Sequence, residues 1–218
     1  ISFLEEYFVK ISQSKKQTDK RLLKNQKIID ALKLIQELNS KKIEHPKLNK
    51  LKEIVSDLLK ENKKIKIIIF ANFRSTVNKI REILQAENIS TEILVGQAVK
   101  NGKGMSQEEQ IETLHRFRNG EFNVLVGTSV SEEGIDVPAV DYAIFYEPVA
   151  SEIRSIQRRG RTGRQIAGKV IFLITKDTRD EAYFFASLRK EKRMKGILYR
   201  MKEGKTLDKK KTLIDWVK

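Results

Sequence analysis

The sequence predicts an α/β fold: a parallel sheet flanked by helices, with an N-terminal helical appendage and a basic C-terminal helical tail. Three observations predict it. Short apolar runs such as Ile65–Phe70 (IKIIIF) read as strands buried on both faces. Between the runs, apolar residues recur at helical spacing, so strands alternate with helices and form βαβ units. The length, 218 residues, suits one full domain with an appendage, or two small domains.

The elements follow in order. Leu22, Ile28, Leu32, Ile35 and Leu38 predict an amphipathic helix over Leu22–Leu38, and Leu48, Leu51, Val55 and Leu58 predict another over Lys47–Lys60. The stretch Lys10–Lys27 carries seven basic residues against one acidic, Asp19, and reads as a loop or a solvated helix end. His45-Pro46 marks a break before the second of these helices. Ile65–Phe70 is the first strand, and Val77, Ile80, Ile83 and Leu84 place a helix after it. Thr91–Val95 is the second strand. Ser106 and Glu109 form a capping-box pattern before a helix carrying Ile111, Leu114 and Phe117. Asn123–Val126, Val140–Tyr146 and Lys169–Ile174 are the remaining strands. Ser151 is a candidate cap for a helix running toward Gly160, and an aromatic-rich helix begins at about Arg179. In a parallel sheet ligands bind beyond the carboxyl ends of the strands, so the loops after Phe70, Val95, Val126 and Tyr146 are where function should sit.

The net charge is +15, and from Arg189 onward twelve basic residues face four acidic ones. Such an excess points to a polyanionic partner, most often nucleic acid. The bland alternative is a Lys-rich surface kept for solubility or heat tolerance. The absence of Cys excludes disulfides, thiolate catalysis and Cys-type zinc sites, and His45 and His115 are too few for a histidine metal cluster. No apolar run approaches the roughly 18 residues of a membrane span. A first residue of Ile1 instead of Met reads as an excised or processed chain.

Two motifs are near misses. Gly96 to Gly102-Lys103 has one residue too many for a phosphate-binding P-loop, and Gly104 stands where a hydroxyl is required. Asp180-Glu181-Ala182-Tyr183 resembles a magnesium-holding acidic box, but a turn precedes it where an apolar strand should be, so the acids suit a helix N-terminus. The informative stretch is Gln157-Arg158-Arg159-Gly160-Arg161-Thr162-Gly163-Arg164. Arg158, Arg161 and Arg164 are spaced by three and suit one side of a helical or turn-like segment. A guanidinium fork is the best side chain for phosphoryl oxygens, and such arginines accelerate γ-phosphoryl transfer.

This stretch resembles motif VI of superfamily 2 helicases. Gly127–Pro138 (GTSVSEEGIDVP) resembles motif V, Phe70–Arg74 (FANFR) resembles motif IV, and Gly96-Gln97 sits where these proteins carry a short motif after the next strand. The order matches a second RecA-like domain from about Pro46 to Met194. The version EEGIDVPAVD, FYEPV, SEIRSIQRRGRTGR and TRDEAYF is most similar to archaeal Hef and its eukaryotic relatives, the Fanconi-anaemia-type fork translocases. Gln157 in place of a common His fits that branch and argues against a generic DEAD-box RNA helicase.

The resemblance implies roles for individual residues. Arg161 and Arg164 would be arginine fingers, with Gln157 sensing phosphate or the partner domain. Gly134, Asp136 and Arg158 would lie on the nucleotide side; Asp136 also reads as a turn residue before Pro138. Asn72, Arg74, Gly96, Gln97 and Thr128 would touch the nucleic-acid backbone, although Arg74 also reads as a surface charge near a helix start. The implied cofactors are ATP and Mg, the Mg held mainly by a first RecA-like domain of the same polypeptide. The implied partner is forked or branched DNA, with no membrane, in the cytoplasm or at the nucleoid of an archaeon. Residues 1–45 would be the end of an inter-domain insert, 46–194 the second RecA-like domain and 195–218 the basic tail. The implied activity is that of an ATP-dependent DNA helicase or translocase, silent as an ATPase without the first domain. An RNA motor and a non-motor DNA-binding module are the alternatives.

Overall fold

A computed structural model describes residues 2–41, 43–97, 104–128, 138–147, 167–186, 188, 189 and 193. The predicted Ser151 helix and the tail from 195 to 218 lie outside the described residues. The first helices are α1 (Ser2–Ser12), α2 (Gln17–Leu23), α3 (Gln26–Ser40) and α4 (Pro46–Glu61). Then come β1 (Ile67–Phe70), α5 (Arg74–Ala86), β2 (Thr91–Leu94), α6 (Gln107–Asn119), β3 (Val124–Gly127), β4 (Val140–Phe145) and β5 (Ala167–Phe172). A last helix runs over residues 179–186.

All five strands pair in parallel, in the order β2-β3-β1-β4-β5. Every residue of β1 and β3 is buried, as the apolar runs predict. Successive residues of β1 feed two cores on opposite faces. Ile67 and Ile69 join Leu51 and Val55 of α4 and Val77, Ile80 and Leu84 of α5. Ile68 and Phe70 join Leu114 and Phe117 of α6, with Phe184 of the last helix packed alongside. The result is helix, sheet, helix, and alternating side chains of a parallel sheet require that arrangement. Each fully buried Leu or Ile contributes roughly 1.5–3 kcal/mol relative to leaving it in water.

Local signals explain the helix ends. Pro46 occupies the first turn of α4, where its missing N–H costs nothing, and the Nδ1 of His45 accepts from the Lys47 N–H at 3.2 Å. In α6 the capping box forms in both directions: Glu109 N–H to Ser106 Oγ at 3.1 Å and Ser106 N–H to Glu109 Oε2 at 2.6 Å. That helix stops at Gly120, whose φ of +78° suits a residue without Cβ.

Three sequence expectations need correction. The helix expected over Leu22–Leu38 is two helices, because the Asn25 side chain accepts the Lys27 N–H at 3.0 Å and starts α3 afresh. The stretch Lys10–Lys27, expected as loop or solvated helix end, includes α2, a solvated helix with no buried residue. Ile111, expected on the core stripe of α6, is 58% exposed, and Gln110, Thr113, Leu114 and Phe117 face inward instead. Strand boundaries agree with expectation to within two residues.

Candidate nucleic-acid interface

Strand register builds the site. Leu94, Gly127, Phe70, Phe145 and Phe172 stand in one row across the sheet. The ladder continues one residue further: Ala71 N–H to Gly127 O at 3.0 Å, Tyr146 N–H to Phe70 O at 2.9 Å and Thr128 N–H to Leu94 O at 3.3 Å. Gly127 permits the close approach, since a Cβ there would meet the Leu94 carbonyl oxygen at 2.9 Å. Beyond this row the chain leaves the sheet at Asn72, Gly96, Thr128 and Glu147, side by side at one edge. Central β1 is flanked there by β3 and β4, the position where open parallel sheets take ligands.

Hydrogen bonds tie these loops together. The Asn72 N–H donates to Glu147 Oε2 at 2.6 Å, joining the loops after β1 and β4. The Arg74 guanidinium donates to the Gly96 carbonyl, joining the loops after β1 and β2. Arg74 thus commits at least one donor inside the protein, while Asn72 and Gln97 are exposed. The segment from Gly96 to Gly104 is closed at its neck by Gln110, only 1% exposed, whose Nε2 donates to Val95 O at 3.1 Å and Met105 O at 3.3 Å. Gly104 sits against the Gln97 backbone, leaving no room for a Cβ.

Charge is arranged behind this edge. Burial pushes the Glu147 carboxyl above the usual carboxylate range, opposed by the Asn72 bond and the Lys47 charge. Lys47, buried in the first turn of α4, donates from Nζ to Tyr146 O at 2.9 Å and pairs with the Asp180 carboxylate. Its ammonium also lies 5.5 Å from the Tyr146 ring centroid. Asp180 and Glu181 stand in the first turn of the last helix, as expected, and Asp180 gains an ionic partner that local sequence does not reveal. Among the described residues, no group of three or more His, Cys, Asp or Glu is placed to hold a metal.

The structure therefore brings Asn72, Arg74, Gly96, Gln97 and Thr128 to one edge. Gly134, Asp136, Gln157, Arg158, Arg161 and Arg164 lie outside the described residues. Sequence reasoning missed Glu147, Gln110 and Lys47. The signal for Gln110 is a lone amide at a helical spacing from Leu114 and Phe117. Glu147 offers only its place directly after a strand.

The five-stranded parallel sheet with helices on both faces is an α/β fold of the RecA-like class. The chain belongs to the family described as the helicase conserved C-terminal domain, which matches residues 46–165. The crystal structure of the Pyrococcus furiosus Hef helicase domain is similar at a TM-score of 0.70 and 44% identity, over 85% of this chain and 38% of that one. A Methanocaldococcus jannaschii protein, provisionally named an ATP-dependent RNA helicase, is 49% identical over 195 residues, which is 89% of this chain and 25% of the relative. The ATP-dependent DNA helicase MPH1 of Pyricularia oryzae is 40% identical over 157 residues, 69% of this chain and 14% of the relative. The chain thus spans a quarter or less of the length of these curated relatives.

Proposed function

We propose that this chain is the C-terminal motor lobe of an ATP-dependent DNA helicase or translocase that acts on forked or branched DNA. The observation that carries the reading is the carboxyl edge of the sheet, where Asn72, Arg74, Gly96, Gln97 and Thr128 meet within a helicase-family domain. Polar side chains at such an edge, among them the exposed Asn72 and Gln97, suit phosphate oxygens, and such contacts position a strand without reading its sequence. The net charge of +15 favours the same partner.

On this reading residues 46–194 are the lobe itself, 1–45 end an insert between two lobes, and 195–218 form a basic tail. A first lobe of the same polypeptide supplies the P-loop, the acidic box and most of the Mg coordination. ATP with Mg supplies the phosphoryl-transfer chemistry when bound between the lobes. Arg161 and Arg164 then offer guanidinium forks to charge developing on the transferred phosphoryl, and Gln157 senses its presence. Gly134, Asp136 and Arg158 line the nucleotide side. Coupling lobe closure to the edge loops would draw the strand past the domain.

The test is an ATPase assay. The chain alone should hydrolyse no ATP. In the full-length protein Arg161→Ala should lower DNA-stimulated turnover by about a thousandfold or more, as loss of an arginine finger does, while DNA binding persists. Turnover by the chain alone that Arg161→Ala abolishes would refute the two-lobe reading. An RNA motor is the second reading, favoured by the name of the Methanocaldococcus jannaschii relative. Stronger ATPase stimulation of the full-length protein by duplex RNA than by forked DNA would select it.

A further inference from the structure

Glu147 stands at the binding edge, and the roles above give it none. Strand register shows what it displaces. Phe70 and Phe145 are partners in the β1–β4 ladder, and the Tyr146 N–H donates to Phe70 O at 2.9 Å. The next rung of such a parallel ladder would run from the Asn72 N–H to Tyr146 O. Two charged side chains take its two ends instead. The Lys47 Nζ donates to Tyr146 O at 2.9 Å, and Glu147 Oε2 accepts the Asn72 N–H at 2.6 Å. The Lys47 charge favours the ionised carboxylate of Glu147, and Asp180, the ionic partner of Lys47, acts on it in the opposite sense. The exchange carries a cost. A plain rung has no charge, whereas burial of Glu147 penalises its carboxylate and raises its pKa. A local cost at a binding edge is where folding preference yields to function.

We infer that Glu147 is a positioning residue: from the end of β4 it holds the main chain at Asn72, and so sets the loop that meets the nucleic-acid backbone. The inference rests on the nucleic-acid reading above. The direction of the effect follows from which end is anchored. Glu147 follows Tyr146, whose N–H and carbonyl are both bonded, and β4 lies between β1 and β5. Asn72 has left the sheet and is exposed. Two residues on, the Arg74 guanidinium is bonded to the Gly96 carbonyl. One bond toward β4 and one toward the loop after β2 therefore brace Asn72–Arg74 from both flanks. Contacts to a phosphate depend on such a fixed frame, because a displaced loop loses them without any change in its own side chains.

The test uses the ATPase activity of the full-length protein, titrated with whichever of forked DNA and duplex RNA stimulates wild type more. Glu147→Ala removes the acceptor, and Glu147→Asp sets it one methylene short. Both should raise the half-stimulating nucleic-acid concentration by about three- to thirtyfold, the range set by one amide–carboxylate bond. Turnover at saturation should stay within about twofold, because the lost contact acts through binding of the strand. Glu147→Gln keeps an oxygen for the Asn72 N–H and drops the charge, so it should stay within about twofold of wild type in both quantities. Equal weakening by Glu147→Ala and Glu147→Gln would assign the effect to charge and overturn positioning. So would three unchanged variants, or tighter binding by Glu147→Ala, which would make the carboxylate a group that repels phosphate. A lower melting temperature and lower saturated turnover, at an unchanged half-stimulating concentration, would reduce Glu147 to support of the fold. Each of these results leaves the nucleic-acid reading standing. Failure of both nucleic acids to stimulate wild type would remove that reading and this inference together.

Discussion

At the scale of single residues, His45 links protonation to the start of the domain. Its Nδ1 must be unprotonated to accept the Lys47 N–H, and partial burial of the ring, then the Lys47 charge, lowers its pKa below 6.5. Much of the residue remains exposed, so the effect is small. The folded state binds this proton less readily than the unfolded state does, so the cap's contribution is present above pH 6.5 and lost as pH falls below it. Thermal melts of the chain between pH 7.5 and about 5 should therefore show a stability loss that His45→Asn, a cap that does not titrate, reduces. An identical pH profile in the variant would remove His45 as the cause. Glu147 has the opposite sign, since burial raises its pKa and the folded state holds its proton more tightly.

At the scale of elements, α6 shows how a local signal becomes tertiary geometry. Ser106 and Glu109 cap each other across the first turn, and the fixed start aims Gln110 at the neck of the loop that carries Gly96 and Gln97. Ser106→Ala should cost about 1 kcal/mol and lower the melting temperature by roughly 2–4 °C, read by calorimetry. An unchanged melting temperature would show that the cap contributes nothing. The capping box was legible because its residues are three apart. The inward amide of Gln110 was not, because a 3.6-residue period ranks Ile111 above Gln110 by hydrophobicity alone. What decides is which side of α6 the second core covers, and there Gln110 replaces an apolar contact with two bonds, to the Val95 and Met105 carbonyls. The split between α2 and α3 was hidden for a related reason: the apolar spacing continues across it, while Asn25 caps the second helix.

At the scale of the whole molecule, stability is uneven. Neither α2 nor α3 has a buried residue, whereas every residue of β1 and β3 is buried between two cores. Helices without an apolar face covered by a core open at low cost. In the chain by itself, amides of α2 and α3 should exchange with solvent at least about a hundredfold faster than those of β1 and β3, read by hydrogen exchange. Equal protection would mean that residues 1–45 are an integral part of the sheet domain, against their assignment to an insert. Lys47 stands where these helices meet the sheet domain. It ties the first turn of α4 to the end of β4 and to the last helix through Tyr146 and Asp180.

From sequence alone the alternation of strands and helices, the parallel sense of the sheet and the edge expected to carry function were legible, because each rests on a period or a cap spanning a few residues. The motifs that place Asn72, Arg74, Gly96, Gln97 and Thr128 in one family are also written locally. The tertiary structure decided how those residues are held. Arg74 bonds a carbonyl 22 positions away, the Asn72 amide a carboxylate 75 away, and Lys47 partners 99 and 133 away. No local pattern encodes such pairs. They exist because strand register brings the ends of four strands to one level, where burial makes each polar group find a partner.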